Sequence, residues 1–414
     1  MQQQTKIDAQ TMTSRERVQR LLNRQSVDRI PNGLGGCETA GLHCAAYDRL
    51  KSVLGVTDQK NRMSTFMCNA IFEPEVLDAM QGDVILLGSR MCPSRFWGPD
   101  APARWRDLSI WDTTVQVPLD WQFRQEPDGT WWWDDARKCP PGTHYFDAVP
   151  TGIPAPTVTP DDFIPAKTLP EELLRRLEED ARWLYENTEY SVSCGEFIQD
   201  LQYSPGGREG WWMRLAAEPD VCGEFLDKAC EAAVSQIVQL DQAVGKYCDT
   251  LLIADDMGDL RGVTIGPALW RSVYKPRYKR LFEEWHRKTN MKISMHNCGS
   301  IVDILGDLVE CGVDVINPVQ ISARGMNPSD LKERFGSDTI FYGGVYDAVL
   351  MAMHESEEAV YEAVKENIRT LSSGGGYLFA GVHNLPGDLP ESHIRATLRA
   401  FDDCKYEPGL TLAE

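Results

Sequence analysis

The sequence predicts an α/β fold: an eight-stranded parallel (β/α)8 TIM-type barrel with an antiparallel, tryptophan-rich β insertion after its second strand. Three observations predict it. Eight short apolar runs recur along the 414 residues, helical patterns fill the gaps between them, and one long gap breaks the rhythm.

The runs are Ile30–Gly35, Asp83–Gly88, Tyr190–Phe197, Thr250–Asp256, Lys292–Cys298, Val313–Val319, Ile340–Val345 and Tyr377–His383. They are continuously apolar rather than alternating, as strands covered on both faces must be. Between them, Leu173, Leu174, Leu177, Ala181 and Leu184 form one helical stripe, and Val221, Phe225, Ala229, Ala233 and Ile237 another. Ser356 is placed as an N-cap with Glu357 and Glu358 in the first turn. Regular alternation favours the closed barrel over an open doubly wound sheet. The whole of 1–414 is expected to be a single domain, with 91–165 as its insertion. That insertion is rich in Trp, Pro, Gly and Asp, and turns such as Pro127-Asp-Gly-Thr130 mark β-hairpins. Its aromatics make either a satellite core or a lid over an aromatic substrate.

Composition narrows the class. Apolar residues are 42% and charged residues 25% of the chain, enough to build a large core. No apolar run approaches a membrane span and no apolar signal core opens the sequence, so a cytoplasmic protein is expected. Twelve scattered cysteines lack the density of a disulfide framework and suit a reducing interior. A net charge of −20 without a basic stripe argues against a nucleic-acid partner.

Polar residues collect at the carboxyl ends of the apolar runs, the face that carries the active site in such barrels. Glu196, Asp255, Asp256, His296, Asn317, Tyr346, His383 and Asn384 all lie there. In His296-x-Cys298 the two side chains point the same way from a strand, and both are preferred zinc donors. His383 lies at the matching level of the eighth run and completes three protein ligands with one open position, or else is a satisfied structural histidine. Glu196 and Asp255 are candidates for the fourth place and for proton donation. Only one of the adjacent Asp255 and Asp256 can face the barrel axis, and the other caps a loop or pairs with Arg261. Asp256, Tyr346, Asn384 and Arg90 are taken as substrate-binding, with a solvated loop position as the alternative for Arg90. The run Gly374–Gly376 precedes a strand instead of opening a helix, so it reads as a turn.

From Met12 to about Tyr406 the chain resembles the uroporphyrinogen decarboxylase superfamily, in its corrinoid-dependent methyltransferase-like branch. The blocks that carry the resemblance are TSRERVQRLLNRQSVDRIP, DDMGDLRGVTIGPALWRSVYKPRYKRL, KISMHNCGSIVDILGDLVECGVDVINPVQISARGMNPSDLK, IFYGGVYD and GGGYLFAGVHNLPGDLP. The resemblance implies a barrel, and a zinc ion held by H-x-C and a later Cys. His296 and Cys298 match the first pair, whereas the later position here is His383. The decarboxylases proper hold a tetrapyrrole through arginines near the first strand. This chain reads PNGLGGCETAG there, without arginine, so porphyrinogen decarboxylation is not expected.

The function expected from these readings is zinc-dependent transfer of a methyl group from a small methylated substrate to the cobalt of a corrinoid (cobalamin) carried by a partner protein. Tryptophan-richness favours a methoxylated aromatic, hence O-demethylation. Two alternatives are transfer from methylcobalamin to a thiol or folate, and a corrinoid or tetrapyrrole carrier without catalysis.

Overall fold

The computed structural model of the chain describes residues 12–57, 60–64, 67–88, 97–98, 104–149, 159–201, 207–354 and 356–407. Seven of the eight apolar runs form strands of one parallel sheet: β1 (Val84–Leu86), β8 (Ser191–Cys194), β9 (Thr250–Ala254), β12 (Lys292–His296), β13 (Val315–Asn317), β14 (Ile340–Tyr342) and β15 (Tyr377–Leu378), in that spatial order. Their side chains are buried on both faces, Val192, Ile253, Met295, Ile316 and Phe341 among them at 0% exposure. That is why the runs are continuously apolar.

The first run departs from expectation. Residues 30–35 make no named strand, and Asn32 pairs with Phe379 only as a single parallel bridge. Pro31 has no N–H to give a ladder, and Gly33, Gly35 and Gly36 weaken strand pairing. The segment still joins the two edges of the sheet. Phe379 N–H donates to the Pro31 carbonyl (2.9 Å), Gly33 N–H to Phe379 (2.8 Å), and Asp83 N–H to Asn32 (2.7 Å). The sheet is therefore seven named strands, curled, with this segment spanning its edges.

Side chains reinforce that seam. Asp83, at 0% exposure, accepts from Arg17 Nη1 (2.6 Å), Arg29 Nη1 (2.7 Å) and Nη2 (2.9 Å), and the Asn32 backbone N–H (2.7 Å). A buried carboxylate is tolerable only with partners of this number. Helices pack outside the sheet, including Glu171–Asn187, the 26-residue Pro219–Val244, and Glu357–Ser372, which Ser356 caps by accepting from Ala359 N–H.

The insertion is antiparallel. β2 (Trp105–Ile110) and β3 (Thr113–Pro118) form a hairpin, and β4 (Phe123–Gln125), β5 (Trp131–Trp133), β6 (Arg137–Cys139) and β7 (Asp147–Ala148) a four-stranded meander. A further pair, β10 (Gly258–Asp259) and β11 (Gly262–Val263), follows β9. Trp133 packs on Trp121 (ring centroids 4.3 Å), Phe123 (5.5 Å) and Phe146 (6.0 Å), so these aromatics make a core of their own. The insertion docks on the helix Cys44–Leu54, where His43 Nε2–H donates to the His144 carbonyl (2.7 Å) and packs on Trp111.

Among the described residues no helix is long and apolar enough to cross a membrane. The eleven described cysteines are all free thiols.

Candidate metal centre

β12 ends at His296, and two residues on, Cys298 turns its Sγ back to 3.2 Å from His296 Nε2. The turn depends on glycine. Gly299 has φ +81°, and a Cβ there would stand 2.6 Å from the Asp259 carbonyl oxygen, while one on Gly258 would stand 2.8 Å from that of Cys298. The segments after β9 and β12 thus interlock at van der Waals distance, closer than any side chain permits.

His383 comes from the other side. It lies past the end of β15 with φ +58°, a left-handed conformation uncommon for a non-glycine residue. Its ring centroid is 5.1 Å from that of His296. The donor atoms of His296, Cys298 and His383 lie within 4.8 Å of one another, His296 buried and the other two half-buried.

The orientation of His296 is fixed from behind. Asn317, at the end of β13, donates Nδ2–H to the Tyr342 carbonyl (3.3 Å), so its Oδ1 faces the imidazole. That oxygen accepts the Thr39 hydroxyl (2.7 Å) and lies 2.9 Å from His296 Nδ1. Nδ1 therefore carries the proton, Nε2 presents a lone pair, and the Cys298 thiol donates to it. An imidazole held this way by an outer oxygen is the usual arrangement of a metal-ligating histidine.

Asp256 faces this cluster, and Asp255 does not. Asp256 Oδ1 accepts Cys298 N–H (3.1 Å) and lies 3.7 Å from His296 Nε2, while Oδ2 lies 3.7 Å from Arg208. Arg261 instead pairs with Asp259 (3.1 Å). Asp255, at 0% exposure, points inward, with Oδ2 accepting from Tyr278 OH and Leu201 N–H (3.3 Å). Asp255 Oδ1 has no hydrogen-bond partner.

The electrostatics favour neutral imidazoles. Burial pushes the His383 pKa down to about 4, helped by repulsion from His296, and burial also lowers that of His296. Burial, then the Asp256 charge, pushes the Cys298 thiol well up. Burial opposes ionisation of Asp256, but His296, the Cys298 N–H and Arg208 outweigh it and hold its carboxyl below the usual value. Burial, together with Asp200 and Glu196, drives Asp255 the other way, well above the usual carboxylate range.

This donor set fits zinc. One thiol, two neutral imidazoles and an adjacent carboxylate are its common ligands, and a tetrahedral site needs donors roughly 3.3–3.7 Å apart. A bound cation would also remove the cost of ionising the Cys298 thiol.

The remaining sequence candidates are dispersed. Glu196 follows β8 and is half-buried. Tyr346 is buried with its hydroxyl 2.7 Å from His393 Nδ1, and Asn384 Oδ1 accepts Gly41 N–H (3.0 Å). Both are spent on neighbouring segments rather than on the cluster. Arg90 lies outside the described residues. The contributions of Thr39 and Asn317 were missed. No spacing in the sequence signals Thr39, and Asn317 offered only its place at a strand end.

Comparison with known proteins agrees with this fold. Residues 206–404 match the family model of uroporphyrinogen decarboxylase (URO-D). A solved structure of a methyltransferase from Methanosarcina mazei superposes with a TM-score of 0.56 at 15% identity, covering 95% of this chain and 99% of that one. The crystal structure of A. niger ochratoxinase overlaps only 41% of each chain, with a TM-score of 0.24 and 12% identity, and bears no weight. No curated protein sequence matches the chain. The family model thus matches the C-terminal part of the chain, and the fold is shared with the methyltransferase structure along nearly its whole length.

Proposed function

We propose that this chain is a zinc-dependent methyltransferase that moves a methyl group from a small methylated substrate, best a methoxylated arene, to the cobalt of a corrinoid on a separate protein. The observation that carries the reading is the convergence of His296, Cys298 and His383 on one point, with the imidazole of His296 oriented by Asn317. The family match and the fold shared with a protein named as a methyltransferase support it.

The difficulty of the reaction lies in the leaving group, since an ether oxygen departs as a poor anion. His296, Cys298 and His383 would hold zinc, which would supply Lewis-acid stabilisation of the departing heteroatom. The protein's own residues do the rest. Asn317 and Thr39 keep the Nε2 lone pair of His296 aimed at the site. Asp256 offsets positive charge there, and its Oδ1 holds the Cys298 backbone in place. Glu196 is the candidate proton donor for the departing oxygen, whereas Asp255 points away from the cluster toward Tyr278 and Leu201 N–H.

The test is methyl transfer itself. The zinc-loaded chain, given cob(I)alamin and a panel of methyl ethers, methylamines and methanol, is expected to convert cob(I)alamin to its methylated form with at least one donor. Chelation should stop the conversion and zinc restore it. No conversion with any donor, together with cobalamin binding, would favour the carrier reading. Demethylation of methylcobalamin by a thiol or folate alone would establish the reverse reaction instead.

A further inference from the structure

One cation borders the metal centre without being consumed by it. Arg208 is the second residue of the helix Gly207–Ala217, which follows β8 at the end of the sheet that carries the three donors. Its Nη2 lies 3.7 Å from Asp256 Oδ2, and Asp256 Oδ1 lies 3.7 Å from His296 Nε2. Two short gaps and the width of one carboxylate therefore separate the guanidinium from a metal donor. Its positive charge is felt as far as the Cys298 thiol, whose ionisation it favours.

The fold does not require this side chain. A charge-assisted N–H···O bond spans about 2.7–2.9 Å, so the 3.7 Å approach to Asp256 is not one, and a half-exposed ion pair at that range stabilises little. Asp256 is anchored independently by the Cys298 N–H (3.1 Å). Among the described residues the Arg208 guanidinium makes no hydrogen bond, and its other neighbour is the Trp212 ring, one helical turn on, at 5.9 Å. Other arginines are spent, Arg261 on Asp259 and Arg49 on the Gly387 and Leu389 carbonyls. Charge counting points the same way. A divalent cation, the Cys298 thiolate and Asp256 would cancel, because burial keeps both imidazoles neutral. Glu196 and Asp200 act on Asp255, which faces away from the cluster. Arg208 then contributes a positive charge at the edge of the site, on a planar fork of donors that matches a carboxylate.

We propose that Arg208 is a specificity-determining residue that receives a carboxylate on the methyl donor, so that the substrate is a methoxyarene bearing a carboxylate. Its ether oxygen then faces His296, Cys298 and His383, and its ring lies beside Trp212. That the ligand is a methyl donor rests on the methyltransferase reading; the preference of Arg208 for a carboxylate does not.

Calorimetric titration of the zinc-loaded chain with 3- and 4-methoxybenzoate and the matching methoxybenzamides tests this, because each amide keeps the shape of its acid and lacks the charge. In the wild type at least one acid should bind about tenfold more tightly than its amide, as charge-assisted bonds to one guanidinium allow. The margin should shrink as salt is raised. Arg208→Met should bring acid and amide within about twofold by weakening the acid, with zinc still bound. Arg208→Lys should keep a reduced preference, since an ammonium carries the charge without the paired donors. The side chain is 53% exposed, so both variants should melt as the wild type does. Equal affinity for acid and amide in the wild type, a preference that survives Arg208→Met, or no binding of either acid would overturn the inference. Loss of zinc and of both ligands alike in Arg208→Met would also overturn it, and would make Arg208 a prop for Asp256. An acid preference that depends on Arg208, without methyl transfer from any donor, would overturn the functional reading alone. Transfer as fast from the amides as from the acids would overturn the role of Arg208 alone.

Discussion

His383 holds its side chain on a left-handed backbone, a conformation that costs about 1 kcal/mol or more for a residue with a Cβ. Such strain persists where the surroundings impose it, here by the short crossing from β15 to the segment held by Asn384. If the residue is the third ligand, His383→Ala should release most of the bound zinc, measured by metal analysis, with the fold retained. His383→Cys should keep zinc, because a thiolate serves equally well as donor. Full zinc occupancy in His383→Ala with a lowered melting temperature would make His383 a structural residue. At this scale the sequence is legible where periodicity is strong. His296-x-Cys298 stands out because strand side chains alternate with a period of two. The choice between Asp255 and Asp256 does not, since two adjacent acids carry no mark of which one faces the axis. Only the backbone turn after Ala254 decides it, burying Asp255 against Tyr278 and bringing Asp256 beside Cys298. Tyr346 and Asn384 are bonded to His393 and to Gly41 N–H, and a polar residue at a strand end can pin a neighbouring segment as well as meet a substrate.

Among the elements, the seven strands and their helices are legible because apolar runs covered on both faces have few other destinations. The first run fails as a strand through its proline and glycines, and its place is secured by Asp83 instead. Arg17, Arg29 and Asp83 are distant in sequence, so this pairing had no local signal. Asp83→Ala leaves the buried Arg29 without its carboxylate and the Asn32 N–H without its acceptor, while Arg17 keeps Asp28, and should destabilise the protein by ~3 kcal/mol. Chemical denaturation measures it, and a loss below about 1 kcal/mol would show that the seam does not depend on this cluster. The insertion was legible as β-hairpins from its turns, while the partition of its aromatics was not. Trp121, Phe123, Trp133 and Phe146 close on one another, whereas Trp97 gives its Nε1–H to the Leu86 and Leu87 carbonyls of the sheet's edge. Composition alone does not separate those two roles.

For the whole molecule, three donors from two distant parts of the chain meet at one end of a parallel sheet, in front of outer residues drawn from two further segments. The curled sheet supplies rigidity, and the glycine-lined crossing of the segments after β9 and β12 sets the turn that carries Cys298 back to His296. The absence of disulfides among the described cysteines agrees with the sparse cysteine spacing, and leaves Cys298 as the one described cysteine that is not buried. X-ray absorption at the zinc edge of the metal-loaded protein tests the central claim most directly. The expected spectrum shows one sulfur at ~2.3 Å and two imidazole nitrogens at ~2.0–2.1 Å, with an oxygen completing the shell. A shell without sulfur, or with two sulfurs, or failure to bind zinc stoichiometrically, would contradict a metal centre built from His296, Cys298 and His383.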